Sequence, residues 1–186
     1  MFGLIILLVA VLTRSVWSTL LSFSIITATI LASLGLFSWL KIPLTTVTAV
    51  APTIMMAIVV AHVVHIIEGF YQAWQAGISK SEALQKTIEI NLTPIFVTSL
   101  TTLIGFLSMN FNDVPPYRDL GNLIAISVIV AFFLSLFFLP ALLSLLPVRP
   151  RKSTLTQNQF EKLGQWVLGK RTPILVAATA LIAICI

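Results

Sequence analysis

Charged residues are scarce in this chain: Lys, Arg, Asp and Glu make up 9% of its 186 residues, and only six of them are acidic. A soluble domain usually has about 25% charged residues, so the composition does not fit a soluble globular domain. The mean hydropathy of +1.05 indicates instead a chain that folds in lipid, where the outer faces of the helices are also apolar.

Cysteine is almost absent, and the single Cys185 cannot form an intrachain disulfide. The sequence also has no serine nucleophile elbow, no Gly-rich phosphate loop and no zinc-binding helix with an intervening Glu. The net charge of +5 does not indicate nucleic acid, because no basic stretch with interleaved aromatic residues occurs. We therefore expect no enzyme activity, no cofactor and no nucleic-acid partner.

Six apolar runs separated by charged residues follow one another along the chain. Four are long enough to cross a membrane as helices, which takes about 20 residues: residues 15–40, 42–67, 90–112 and 120–148. The shorter runs at the two ends, residues 1–13 and 173–186, are interpreted as a nearly complete first helix and the truncated start of a sixth. The predicted fold is all-α, a polytopic transmembrane helical bundle of five helices plus the start of a sixth, in a fragment of a longer protein.

The basic residues predict how this bundle lies in the membrane. Nine of the 11 Lys and Arg residues fall in one set of connecting segments, whereas only Lys41 and Arg118 fall in the other. Since basic segments stay on the inner side, the segments at residue 14, 69–89 and 149–171 are predicted to be cytoplasmic. The expected location is the plasma membrane, or inner membrane in a bacterium.

Two of these cytoplasmic segments have a pattern of their own. In residues 69–89, Gly77 is predicted to break the chain before a short cytoplasmic helix with Ser79 or Ser81 as its N-cap. Residues 149–171 are predicted to be a basic amphipathic connector on the membrane surface. The predicted domains are thus residues 1–148, the connector at 149–171, and the start of the next helix at 172–186.

The third run contains ionisable residues, which are costly inside a membrane and usually mark function. His62, His65 and Glu68 are three residues apart, so we expect them on one helix face as a candidate proton relay. A histidine that only hydrogen-bonds a neighbouring helix is an equally good interpretation. A zinc site is not predicted, because no fourth ligand is evident.

The fourth run has a second polar pattern, a stripe of small and hydroxyl side chains: Thr98, Ser99, Thr101 and Thr102. Such residues allow close helix packing, so we expect this helix in the bundle interior, against the histidine face. Two prolines are expected to disturb the helices. Pro52 should loosen the hydrogen-bond ladder of the third run, and Pro140 should kink the fifth.

Several short motifs along the chain resemble the resistance-nodulation-division (RND) superfamily, and within it the MMPL-like and predicted-exporter branches. The motifs are Arg14-Ser15, Lys41-Ile42-Pro43-Leu44-Thr45, Ala61-His62-Val63-Val64-His65-Ile66, Thr98-Ser99-Leu100-Thr101-Thr102-Leu103-Ile104-Gly105-Phe106, Asp119-Leu120-Gly121 and Leu139-Pro140-Ala141-Leu142-Leu143. Their order and their placement on successive runs match the family over essentially the whole chain.

The resemblance implies part of a twelve-helix exporter that uses the proton-motive force to move lipids or other hydrophobic molecules. The five helices would be its second to sixth, and the second half of the transporter would be a missing partner. Related exporters usually have a relay aspartate where this chain has His62. A histidine can also carry a proton, but it changes between neutral and positive forms.

The same five-helix unit is used by sterol-sensing domains. A lipid-binding or regulatory membrane module without transport activity is therefore an alternative that rests on the same resemblance, and both alternatives have membrane lipids as partners. A non-functional piece of a split gene is the third.

Overall fold

The computed structural model describes residues 16–145, together with Gly3, Gly169 and Lys170. Residues 16–145 contain no β-strand, and their long helices are α1 (Val16–Trp39), α2 (Ala51–Gln75), α3 (Lys80–Leu107) and α4 (Pro115–Phe133). Short 3₁₀ turns precede α2 (Thr48–Val50) and follow α3 (Ser108–Phe111), and a π-helical turn (Leu134–Phe138) joins α4 to α5 (Leu139–Leu145). The chain divides into two compact units, Met1–Pro150 and Arg151–Ile186.

Four segments of the described chain are long and apolar enough to cross a membrane: Val16–Trp39, Thr48–Gln75, Lys80–Phe111 and Pro115–Leu145. They correspond to the second to fifth apolar runs, so the all-α membrane fold is confirmed for this part. The first and sixth predicted helices lie outside the described residues, and so does the connector at 149–171 apart from Gly169 and Lys170.

Helix α1 ends in a turn that usually requires glycine. The Lys41 N–H donates to the Ser38 carbonyl at 2.9 Å and the Ile42 N–H donates to the Phe37 carbonyl at 3.4 Å, which is the hydrogen-bond pattern of a Schellman motif. Lys41 has a φ of 57°, in the left-handed region. A residue with a Cβ pays about 1 kcal/mol for this conformation, so the position is strained.

The prediction for Pro52 is wrong. Pro52 lies in the first turn of α2, which begins at Ala51. The first four N–H groups of a helix have no carbonyl partner within it, so a proline there interrupts no hydrogen bond. The apolar run had suggested an earlier helix start, at residue 42, which placed Pro52 in the interior.

Between α2 and α3, the predicted break at Gly77 and one of the two predicted N-caps, Ser79, are confirmed. Gly77 has a φ of 89°, and Ser79 is the N-cap, whose hydroxyl accepts the Glu82 N–H while the Glu82 carboxylate accepts the Ser79 N–H. The prediction of a separate cytoplasmic helix is wrong, because the helix that Ser79 starts continues through Pro94 to Leu107. The capping box fixes where α3 begins, and the next glycine is Gly105, two residues before its end.

Helix α4 comes close to the end of α3. A Cβ added to Gly121 would clash with the carbonyl oxygen of Phe106 and lie 2.9 Å from the Met109 Cβ. The side-chain amides of Asn110 and Asn122 join the same two segments by two reciprocal hydrogen bonds, of 2.9 and 3.0 Å. These contacts fix the packing of α3 against α4 at this end of the bundle.

The helix is irregular near Pro140, where a kink was expected. Leu134–Phe138 form a π-helical turn, in which the Leu139 N–H donates to the Leu134 carbonyl five residues back. Pro140 follows and is itself buried in α5. Since proline has no N–H, the widened turn lies where the regular ladder would be interrupted.

Two apolar clusters fill the bundle. One joins α1 and α2 to α5 and includes Ile25, Met56, Val63, Ile66, Phe70, Leu139 and Leu143. The other joins α1 and α2 to α4 and includes Phe37, Ala51, Met55, Leu123 and Ile124. The Ser18 and Tyr71 hydroxyls form a buried hydrogen bond of 2.9 Å between α1 and α2 beside the first cluster.

Candidate functional site

His62 lies inside the bundle, on the face of α2 that packs against α3. Its side chain is 5% exposed. Gly69, seven residues later on nearly the same face, lies against Thr87 and Asn91 of α3. Seven residues correspond to about 10 Å along a helix. His62 therefore faces α3 nearer the middle of the membrane.

Ser99 is the buried polar residue of α3 nearest this depth. It is 7% exposed, and one turn before it Ile95 is 2% exposed. Within residues 16–145 the Ser99 Oγ and the His62 Nδ1 have no hydrogen-bond partner. Unpartnered buried polar atoms are costly, and they are concentrated at functional sites. The Ser33 and Ser135 hydroxyls are in the same state, so α1, α2, α3 and the π-helical turn of the described chain each have one such atom.

The other two residues of the predicted relay do not join His62 in the interior. His65 and Glu68 are exposed, and the Glu68 carboxylate accepts a hydrogen bond from the Gln72 Nε2 at 3.1 Å. Three residues rotate a helix by about 300°, so each step of three turns the side chain by about 60° from the one before. The spacing therefore carries His65 and Glu68 from the buried face to the outer surface of α2.

The four residues of the predicted stripe on α3 are also divided. Ser99 is buried and Thr102 is half-buried, whereas Thr98 and Thr101 are exposed. Among the described residues only 11% of the apolar part of this helix is buried, so α3 packs on α2, as expected, but is not enclosed by the other described helices.

Hydrogen bonds within α3 explain why its threonine hydroxyls can remain on the outer surface. The hydroxyls of Thr98, Thr101 and Thr102 donate to carbonyls four residues earlier, at 2.9, 2.9 and 2.7 Å. A hydroxyl satisfied by its own helix needs no partner on another helix.

Sequence reasoning named His65 and Glu68 as part of a relay with His62, but not the strip of small and polar residues to which they belong on the outside of α2. Ala57 and Ala61 are exposed and precede His65, Glu68 and Gln72 at spacings of three and four residues. We call these five residues the α2 strip. Small residues at this spacing before a histidine are the signal that could have identified it.

An apolar recess, which sequence reasoning did not predict, lies where the ends of α1 and α3 meet α4. Its volume is about 350 Å³, and its lining consists of Leu40, Ile42, Leu103, Leu107, Asn122, Ala125, Ile126 and Ile129. These residues come from three segments that are distant in the chain, so no local pattern marks them. Pockets of this size and apolar lining take small hydrophobic groups.

The described residues include no group of three His, Cys, Asp or Glu side chains placed to hold a metal ion. A zinc ion needs three or four such ligands around one point. His62 is directed to the interior while His65 and Glu68 are on the outer surface, so these three side chains do not converge.

The chain matches the MMPL family over residues 1–176. It is also similar to a membrane protein of Methanocaldococcus jannaschii, MJ1562, with 24% identity over 109 residues. That match covers 59% of this chain and 28% of the archaeal protein. The chain therefore spans well under half the length of this relative.

Proposed function

The chain belongs to the MMPL family, and on that premise we propose that it forms the membrane helices of one half of an exporter. The exporter uses the proton-motive force to move lipids or other hydrophobic molecules. A second helical unit completes it, and the transport cycle involves no covalent chemistry. The segments at residue 14, 69–89 and 149–171 face the cytoplasm of the plasma membrane. Labelling of Ser81→Cys from one side only, in a Cys185→Ala background, tests that orientation.

The observation that carries this proposal is the α2 strip. His65 is exposed within a membrane-spanning segment, and Glu68 continues the strip towards the end of the helix. Polar side chains facing lipid are unfavourable, so in membranes they face other helices or a water-filled path. Ala57 and Ala61 also leave room for a neighbouring backbone to approach. Both features support a second helical unit on this side of α2.

His62 is the residue we propose to bind the transported proton. It lies behind the α2 strip, in the interior, and its Nδ1 is unpartnered within residues 16–145. An imidazole can bind and release a proton, so a group from the second unit exchanges a proton with it in the transport cycle. In this proposal His65, which is exposed on the outer surface of α2 three residues further on, relays the proton between His62 and that unit.

The test is transport by the full-length protein in proteoliposomes, with a fluorescent hydrophobic substrate and an imposed pH gradient. We expect His62→Asn to abolish gradient-driven efflux, because an amide keeps hydrogen bonding but cannot titrate. Val64→Ala, on the same turn of α2, is the matched control and should leave efflux near the wild-type rate. Unchanged efflux in folded His62→Asn protein would refute the proton assignment.

The sterol-sensing alternative is a lipid-binding module without transport, and the apolar recess is the observation that favours it. It predicts saturable lipid binding to the purified chain and no substrate movement under the gradient. The same proteoliposomes separate the two functions. Gradient-driven efflux supports the exporter, whereas saturable binding without efflux supports the module.

A further inference from the structure

The recess at the ends of α1 and α3 has one polar lining residue, Asn122. Its amide is held in place, because the Asn110 Nδ2 donates to its Oδ1 at 2.9 Å and its own Nδ2 donates to the Asn110 Oδ1 at 3.0 Å. The other lining side chains are aliphatic. The lining is therefore almost wholly apolar, and the part of an occupant that enters the recess must be apolar.

The chain segment that lines one side of this recess contains a cation. Lys41 stands between two lining residues, Leu40 and Ile42, and its side chain is exposed. Within the described residues no carboxylate forms an ion pair with it, although Asp113 and Asp119 lie in the connection and helix start on the same side of the bundle. Its charge is thus available to a ligand.

The backbone holds Lys41 in place. Its φ of 57° and the two hydrogen bonds that close the α1 turn fix the direction in which the chain leaves the helix. Glycine is the usual residue in this conformation, and strained residues that persist are concentrated where a ligand binds. The strain is a second observation, independent of the recess, that points to the same place.

The depth of the rim fits the boundary between lipid and water. Trp39, two residues before Lys41, is 79% exposed at the end of a membrane-spanning helix. Tryptophan and lysine at a helix end are typical of the headgroup level, where the lipid phosphate lies. An apolar recess directly inside this level is adjacent to the acyl chains.

We propose that this site binds an anionic phospholipid, with one acyl chain in the recess and the phosphate paired with Lys41. A diffuse basic surface would attract the lipid headgroup alone, whereas the recess adds a defined position for one acyl chain. The site does not depend on the transport function, since it is separate from the α2 strip and from His62.

The experiment uses the intact chain with Trp39 as its only tryptophan, after Trp17, Trp74 and Trp166 are replaced by Phe. Brominated acyl chains quench a nearby tryptophan, so quenching is compared between brominated phosphatidylglycerol and brominated phosphatidylcholine at equal mole fractions. We expect about fivefold tighter apparent binding of phosphatidylglycerol, as a single lysine near the membrane surface favours an anionic lipid by about that factor.

The charge is tested with Lys41→Asn and Lys41→Arg. Asparagine tolerates the left-handed conformation, so it removes the charge while keeping the turn. We expect Lys41→Asn to remove the preference for phosphatidylglycerol and Lys41→Arg to keep it. A preference that survives Lys41→Asn overturns the proposal.

The recess is tested with Leu107→Phe, a larger side chain at a partly exposed lining position, against Leu31→Phe on the outer face of α1. We expect Leu107→Phe to reduce quenching by both lipids to the level of random contact, and Leu31→Phe to have no effect. Equal quenching in these two variants overturns the proposal, because the acyl chain then has no defined position. This holds even if Lys41→Asn acts as expected. Circular dichroism checks that each variant is folded.

Discussion

Helices α3 and α4 are consecutive, both apolar and packed against each other, yet their surroundings differ. In the apolar part of α3 11% of the residues are buried, against 56% in the segment from α4 to α5. Helix α4 packs against α1, α2 and α3, whereas α3 packs mainly against α2 and α4. Lipid and a protein interior are equally apolar, so hydrophobicity alone does not distinguish a peripheral membrane helix from a central one.

The two helices should differ most in the free energy of unfolding that is lost when a leucine is replaced by alanine. Leu123 of α4 is fully buried, whereas Leu100 of α3 is 41% exposed. We expect Leu123→Ala to lower the free energy of unfolding by about 2–4 kcal/mol, because it leaves a cavity. Leu100→Ala should cost less than about 1 kcal/mol, since lipid fills the space.

Reversible unfolding in bicelles measures both variants. Equal losses would mean that the outward face of α3 is as tightly packed as the interior of α4, and the contrast between the helices would be wrong.

Replacing a glycine by alanine should change the stability by an intermediate amount, and again differently in the two helices. Gly121→Ala on α4 would push against the Phe106 carbonyl and the Met109 side chain, whereas a Cβ at Gly105 of α3 has nothing within 4 Å. We expect Gly121→Ala to destabilise the protein by about 1–3 kcal/mol through overpacking. Gly105→Ala should be neutral or stabilising by up to about 1 kcal/mol, because alanine favours the helix.

The midpoint of thermal unfolding in detergent is sufficient for this pair. If Gly105→Ala were as harmful as Gly121→Ala, a close neighbour outside the described residues would have to pack on α3 at that point.

The smallest effect is expected from the exposed hydroxyls of α3. Thr98→Val and Thr101→Val remove hydrogen bonds to carbonyls of the same helix, made at 2.9 Å in both cases. We expect each to change the free energy of unfolding by less than about 0.5 kcal/mol. The same variants in the full-length protein are the informative comparison. A loss above about 1 kcal/mol only there would reveal a second unit packed on this face.

The sequence was most informative where a local physical rule determines the structure. Ser79 was predicted, with Ser81, as one of two possible N-caps and Gly77 as the preceding break, because capping and left-handed backbone depend on a few neighbouring residues. The apolar runs likewise identified the four described spans, since the length of a run sets whether it can cross a membrane.

Features that depend on neighbours in space could not be predicted. The exposure of Thr98 and Thr101 follows from which helices surround α3, and the spacing of hydroxyl residues does not contain that information. The recess depends on how α1 ends. The chain turns there at Lys41 in the left-handed conformation, which is uncommon for any residue except glycine and is therefore not predicted from the sequence. His62 was identified as an ionisable residue within a span. That it is buried while His65 is exposed depends on which face of α2 is directed towards the other helices, and the spacing alone does not determine that.

The π-helical turn at Leu134–Phe138 has a consequence for how such sequences diverge. A turn of this kind accommodates one extra residue within a helix, and everything after it is rotated by about 100° relative to a regular helix. Leu139 and Leu143, both fully buried, owe their inward direction to that offset. Straightening the turn without a deletion would rotate this pair by about 100°, whereas deleting one residue of the turn would restore an uninterrupted helix and leave the pair facing the core. A relative with a regular helix here should therefore have one residue fewer, and an alignment that places no gap in the turn would pair interior residues with lipid-facing ones.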